Sequence, residues 1–371
     1  MNSDALTYRM AFAAVRGMGV DLANKLLEVI PSEKDFFCAD RKELEAIAGC
    51  KSKIFDHDYR QKLLDKAAIE CDFVNNNNIK VTYFRDSDYP KRFGETASDA
   101  PILIYSLGNC NLNAKHVVSI VGTRHATVYG QKFCDKLIAD LHDRLDDLVV
   151  VSGLAYGIDI SAHRASLKNE VPTVAVMANG LNRIYPSPHR NDAENIIRHG
   201  GLLVTDYMSQ DVIHKGNFVA RNRIIAALAD ATVVVESAIS GGALITANLA
   251  SSYNRDVFAV PGRVSDEFSS GCNKLIRNNQ ACMLTCADDL VTQMQWGSKT
   301  TQAKKHETEL FPELSDVEAM VVDFIKKNGD VHINVVAESL NLPVYKAMST
   351  LMTLEYKGVI NTLPGCRYAI A

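Results

Sequence analysis

Four short segments of this chain gather the residue types that grip an anion: Gly122-Thr123-Arg124, SGLAYGID (Ser152 to Asp159), Ala178-Asn179-Gly180 and SAISGGALIT (Ser237 to Thr246). Glycine leaves backbone N–H groups bare, and Ser and Thr add hydroxyl donors. Where such a segment opens a helix, these donors form a concave site for anionic oxygens. Ser152, Gly153, Gly157, Asn179, Gly180, Ser240, Gly241, Gly242 and Thr246 are the candidates in the last three segments. In the first, Arg124 adds charge and a forked pair of donors that a lysine lacks. A fifth stretch, HKGNFVARNRIIAAL (His214 to Leu228), contributes Lys215, Asn217, Phe218, Arg221, Asn222 and Arg223. A flat ring set among cations has the composition of a strip that stacks bases beside a phosphate backbone, at roughly 1–3 kcal/mol per base. The competing reading of Phe218 is core packing at the start of a helix.

A nucleotide, a sugar phosphate and a nucleic-acid backbone all call for the same donors, so the loops alone do not choose among them. No GxGxxG follows the first central strand, and neither GxxxxGK[ST] nor GxSxG occurs, which disfavours a dinucleotide, a nucleoside triphosphate or a nucleophile elbow. Asp159 and His163 stand four apart near Ser152, the residue types of a hydrolytic triad. The expected arrangement is instead Asp159 favouring a helix N-terminus with His163 packed behind it. No catalytic residue is assigned. Nine cysteines are scattered without a CxxC pair, and Cys282 and Cys286 have no third ligand beside them, so reduced thiols are expected, with no metal and no cofactor.

Elements that would position these loops are visible as apolar runs rich in Val and Ile, alternating with helix-length segments. The runs are Val117 to Val121, Leu148 to Val151, Thr173 to Met177, Leu202 to Thr205, Thr232 to Val235, Val257 to Val260 and Ala281 to Leu284. Continuous apolar character implies strands buried on both faces, hence an α/β fold with a doubly wound, mostly parallel sheet. Loops following such strands lie at their carboxyl ends, where ligands bind. Residues 1–75 read as a small helical domain in which VRGMGVDLANKLL (Val15 to Leu27) has the shape of a helix-hairpin-helix. Residues 76–294 are the sheet domain with an N-terminal extension, and 295–309 form a polar linker. In 310–371, three helical patterns precede a strand-turn-strand, the order of a winged helix. Its presumptive recognition helix carries Lys346 and Lys357 but little other charge, which favours protein contact or regulation over duplex DNA.

The net charge of −4 argues against a polyanionic partner only on the scale of the whole chain. Arg124, Arg183, Arg190, Lys215, Arg221, Arg223, Arg263 and Lys274 fall in or beside the glycine-rich connections, while Asp135, Asp140 and Asp143 fall on a presumptive helix. A local positive rim is the quantity that matters at short Debye lengths. No run of eighteen uncharged apolar residues occurs and no leader-like segment opens the chain, so a cytoplasmic, membrane-free protein is expected.

Taken in order, Gly122-Thr123-Arg124, SGLAYGID, NGLNRIYP, FVARNRIIAAL, SGGALITA, RDVFAVPG and GCNKLIRNNQA resemble the DNA-processing protein A family, also called Smf, over about residues 80–290. The resemblance implies a Rossmann-like core that binds single-stranded DNA without sequence preference, forms homodimers, and helps load the RecA recombinase during natural transformation, with no catalytic turnover. It also places Arg124, Lys215, Phe218, Arg221, Asn222 and Arg223 where the family contacts DNA. The chain departs from the family pattern at Ala178-Asn179-Gly180, where Gly-Thr-Gly is usual, and at Thr205-Asp206, where Ser-Glu is usual. It also reads Ser187-Pro188-His189-Arg190 after the Tyr-Pro pair, leaving Arg190 to supply the usual lysine's charge. Two other readings share the architecture. A phosphoribohydrolase would need a carboxylate in the helix of SGGALITANLAS, which has none. A nucleotide-sensing adaptor would bind its ligand at one saturable site, indifferent to oligonucleotide length.

Overall fold

Val and Ile build the strands at the centre of the molecule, because β-branched side chains pack well on a pleated surface covered on both sides. The computed structural model describes residues 3–96, 99–297, 314–363 and 367–370. Its large sheet comprises β1 (Lys80–Tyr83), β2 (Leu103–Gly108), β3 (His116–Val121), β4 (Leu148–Ser152), β5 (Thr173–Val176), β6 (Leu202–Thr205), β7 (Ala231–Val234), β8 (Asp256–Ala259) and β9 (Cys282–Met283). Their order is β1-β2-β6-β5-β4-β3-β7-β8-β9. From β6 through β9 every pairing is parallel, whereas β2 runs antiparallel to both β1 and β6. The sheet is therefore Rossmann-like, with an antiparallel extension on one edge. Strands β3, β4 and β5 are buried along their full length, as the continuous apolar runs require.

Five helices precede the sheet: α1 (Ser3–Ala13), α2 (Val20–Val29), α3 (Glu33–Cys38), α4 (Arg41–Ala48) and α5 (His57–Asn76). They share one core with the sheet edge, in which Phe12, Phe36 and Phe55 meet Tyr83, Ile102, Leu103 and Tyr105. The Glu70 carboxylate of α5 adds a polar tie, accepting the Ser209 backbone N–H at 2.8 Å and the Ser209 hydroxyl. Met18 is buried in the α1–α2 turn, and the Arg16 N–H of that turn donates to the Tyr59 hydroxyl at 3.1 Å. That donor is committed within the fold rather than presented to a phosphate.

The sheet is covered by α6 (Val128–Arg144), α7 (Ile158–Lys168), α8 (Arg190–Arg198), α9 (Lys215–Leu228), α10 (Gly242–Ser252), α11 (Ser270–Arg277) and α12 (Ala287–Gln293). Helices α6, α7 and α12 close one core with Ile120, Val150 and Val233. Helices α9 and α10 close the other with Val121, Val151 and Val234. The chain divides into two units, Met1–Lys299 and Thr300–Ala371. Most of the expected linker, residues 298–309, lies outside the described residues. The second unit runs α13 (Asp316–Asn328), β10 (Val331–His332), α14 (Ile333–Ser339), α15 (Val344–Tyr356), β11 (Ile360–Leu363) and β12 (Arg367–Ile370), with strand order β10-β12-β11. Its core holds Val321, Ile325, Val336, Leu351 and Leu354, and Ser315 caps α13 through a reciprocal capping box with Glu318. Among the described residues no helix is long and apolar enough to cross a membrane.

Candidate nucleic-acid interface

Strand order reverses between β3 and β7, which are parallel neighbours followed by helices on opposite faces, α6 and α10. A crevice at the carboxyl ends of these strands follows from that topology. Four hydrogen bonds fix it. The Ser119 hydroxyl donates to Thr232 Oγ1 at 2.7 Å between the strands. Beyond them, the Glu236 carbonyl accepts the Thr123 N–H at 2.6 Å, and its carboxylate accepts the Thr127 N–H at 2.9 Å and the Thr127 hydroxyl at 2.5 Å. Glu236 thus holds the whole β3–α6 loop from the end of β7.

A cleft of about 250 Å³ opens there, with Gly122, Thr123 and Arg124 on one lip and Gly241 and Gly242 on the other. Helix α9 forms the third side. Its residues Lys215, Phe218, Asn222 and Ile225 recur at helical spacing on one face, and the last three line the cleft. Arg124 is exposed, and its guanidinium lies over the Phe218 ring at 5.7 Å from the centroid. Tyr185 approaches the same ring at 5.3 Å and is itself half exposed. Phe218 is partly buried, so it both closes the cleft and presents a ring. Lys215 stands exposed at the start of α9.

Behind this rim the cleft is built on buried charge. Arg221, 4% exposed, donates from Nη1 to the Gly153 carbonyl at 2.6 Å and to the Val176 carbonyl. It therefore ties the ends of β4 and β5. A side chain at position 153 would collide with this guanidinium, which explains the glycine there. Gly157 has a φ of +78° and packs against the Thr123 carbonyl, a place only glycine fills without strain. Asp159 shares the inner wall. Burial pushes its carboxyl above the ordinary range, against the pull of Arg221, the Ala155 and Gly153 N–H groups and Arg124.

Several predicted residues serve the scaffold instead of the rim. Ser152 is buried and donates to the Ile120 carbonyl at 2.6 Å. Asn217 is buried and donates to the Ala178 and Val212 carbonyls, each at 3.2 Å. Asn179 donates to the Gly180 and Arg183 carbonyls, and Gly180 packs on the Met208 backbone. Thr246 is buried in α10. Arg223 lies away from the cleft, where it pairs with Asp206 and donates to the Asp99 carbonyl. Lys274 is half-buried on α11, Arg190 pairs with Glu194 on α8, and Ser240 is exposed in the β7–α10 loop. The residues resembling a triad take other partners: the His163 Nδ1 contacts the Thr173 hydroxyl at 2.8 Å, and the Ser152 hydroxyl donates to the Ile120 carbonyl. Glu236 and Tyr185 went unpredicted. Glu236 had a signal in the sequence, a carboxylate closing an apolar run ahead of the SAISGG loop.

An exposed arginine, an accessible ring and glycine-rich loops at the switch point of a doubly wound sheet give a Rossmann-like domain with a candidate anion site. The sequence profile of the family described as DNA recombination-mediator protein A matches residues 80–295. The chain belongs to that family. It is 34% identical over 255 residues to the DNA processing protein DprA of Streptococcus pneumoniae, covering 68% of this chain and 86% of the relative. It is 31% identical over 283 residues to the protein Smf of Escherichia coli, covering 75% and 74%. The solved structure of the Streptococcus pneumoniae protein superposes with a TM-score of 0.64 at 29% identity, covering 78% of this chain and 97% of that one. A structure of DNA processing protein A from Helicobacter pylori, described in terms of its single-stranded DNA binding mode, superposes with a TM-score of 0.52 at 27% identity and covers 59% and 98%.

Proposed function

We propose that this chain binds single-stranded DNA without sequence preference through the switch-point cleft. The observation that carries the reading is the exposed Arg124 guanidinium set over the Phe218 ring, at the mouth of a cleft whose lips are glycine backbone. A guanidinium and bare N–H groups serve phosphates, and rings serve bases of any sequence. Arg124 and Lys215 grip neighbouring phosphates, and the Phe218–Tyr185 pair receives a base. The Helicobacter pylori relative, whose structure was described for its single-stranded DNA binding mode, supports the same ligand class.

In this reading the protein acts in the cytoplasm as a homodimer. It protects incoming single strands and passes them to the RecA recombinase during natural transformation and recombination. It does so without chemical turnover and without a cofactor. The second unit serves as a winged helix for protein contact, supported by its helix–strand–helix–helix–strand–strand order and by the scarcity of cations on α15. The test is fluorescence anisotropy of labelled oligo-dT with the wild type and Arg124→Ala, across a salt series and with duplex competitor. Salt-dependent binding that the substitution weakens, with a shallower salt slope, supports the cleft as a nucleic-acid site. Absence of binding by the wild type at low salt refutes it.

A further inference from the structure

We infer that the bound strand does not end at the cleft: it runs past Arg124 into a second groove between α6 and α7. There Tyr156 offers a ring to a further base, and Arg164 and Lys168 meet the phosphates that follow. The inference rests on the single-strand reading of the cleft and extends the length of DNA that each chain engages.

The groove has a volume of about 450 Å³ and shares Arg124 with the cleft as a common wall. Anything held by that guanidinium is thus positioned to enter either side. Tyr156, at the groove's entrance, is 46% exposed. Its ring is braced at 4.9 Å, nearly edge-on, by His189, which is buried with its Nδ1 2.8 Å from the Leu154 carbonyl. A ring fixed on one side and open on the other is a stacking platform already in place, so little side-chain entropy is lost when a base settles on it.

Arg164 and Lys168 follow at i and i+4 on α7, side chains 60% and 67% exposed, on the face that lines the groove. Four residues of helix separate them by about 6 Å along the axis. Two neighbouring phosphates of a stretched strand can meet cations so placed. Each cation now has a carboxylate partner, Asp192 for Arg164 at 2.8 Å and Asp135 for Lys168 at 2.6 Å. The Lys168–Asp135 pair is exposed on both sides and holds by only about 0–1 kcal/mol, so an arriving phosphate displaces its carboxylate with little resistance, whereas Arg164 keeps Asp192 through Nε and Nη2 and meets a phosphate at Nη1.

The experiment compares the full-length chain with Arg164→Gln/Lys168→Gln and with Tyr156→Ala, by anisotropy over salt, on oligo-dT of about 6 and about 15 nucleotides, lengths that bracket short and long single-strand sites. The expected result is that both variants bind the short strand as the wild type does. The long strand loses affinity in both, and in the double variant its log K against log salt slope shrinks by about 1.4, two contacts at about 0.7 each. Retention of the wild-type slope and affinity on the long strand, by variants whose melting matches wild type, overturns the second groove and leaves the cleft standing. Equal wild-type affinity for the two lengths also overturns it. Failure of the wild type to bind either length overturns both readings together.

Discussion

Arg221 decides between two uses of a cation in the proposed DNA-binding cleft, contact and construction. The resemblance to the family places it among the residues that meet DNA, but in the structure it is buried, with its Nη1 hydrogen-bonded to the Gly153 and Val176 carbonyls. In Arg221→Met those two carbonyls lose their donor, at about 1–3 kcal/mol for each buried acceptor left unpaired. Asp159 loses the nearest cation that offsets its burial, which adds to the cost. Removing a buried charge returns part of its desolvation penalty, so the net expectation is a loss of about 3 kcal/mol. For a domain of this size that corresponds to a melting point lower by about 6 °C, at roughly 2 °C per kcal/mol. Affinity for oligo-dT falls as well, because the β4 and β5 loops lose their tether. The slope of log K against log salt stays at the wild-type value, since no phosphate contact is removed. Arg124→Ala gives the opposite signature, unchanged melting and a slope smaller by about 0.7. Calorimetric melts and anisotropy over salt, run on both variants, separate the two. An Arg221→Met protein that melts with the wild type while its salt slope falls by one contact refutes the reasoning.

Three further outcomes are expected. Phe218→Ala costs about 1–3 kcal/mol in single-strand affinity with no change of salt slope, whereas Lys215→Ala lowers the slope by about 0.7; equal slopes in both variants sink that division of labour. Burial holds the His163 imidazole down at about 3 from its ordinary 6.5. The unfolded chain therefore binds a proton that the fold refuses, stability is full above pH 6.5 and is lost as pH falls toward 3, and His163→Gln flattens the melting profile over that range. Burial raises the Glu70 carboxyl above its ordinary 4.5, outweighing the Ser209 hydrogen bonds, so its contribution is present below pH 4.5 and is lost as pH rises through the folded value. Glu70→Gln keeps an acceptor for Ser209 and should gain on the wild type in melts as pH rises above 4.5; a difference independent of pH would contradict this.

The parallel strands were legible because strands buried on both faces cannot hide their apolar runs: each of the seven expected segments overlaps an observed strand. The direction of the edge was not legible. Apolar runs say nothing about polarity, and β2 joins β6 antiparallel because a chain crossing from β1 meets that edge from the other end. The rim residues were found by type, but glycine and arginine at strand ends also build scaffold, as Gly153, Gly157 and Arg221 do. Helix α9 shows where type fails. Arg221, Asn222 and Arg223 are adjacent in sequence, yet successive helical residues turn by about 100°, so they face the scaffold, the cleft and the Asp206 side. A helical wheel through Lys215, Phe218, Asn222 and Ile225 carries that information. The carboxylate that closes the β7 run marks Glu236 as unusual, but the sequence does not show what it anchors, because its partner Thr127 is 109 residues away.

Placement of charge reconciles an acidic chain with a polyanionic ligand. Most of the chain's arginines near the sheet are neutralised or buried: Arg92 by Asp230, Arg144 by Asp288, Arg223 by Asp206, and Arg221 inside the scaffold. Arg124 is exposed at the cleft and Lys215 is exposed at the start of α9, where a phosphate can reach them without breaking structure. The net charge of −4 therefore describes the body and says little about the rim. In the single-strand reading, affinity combines counterion release at a few phosphates with stacking on the Phe218 and Tyr185 rings. Stacking is indifferent to base identity, so such a site would distinguish strands by whether their bases are unpaired.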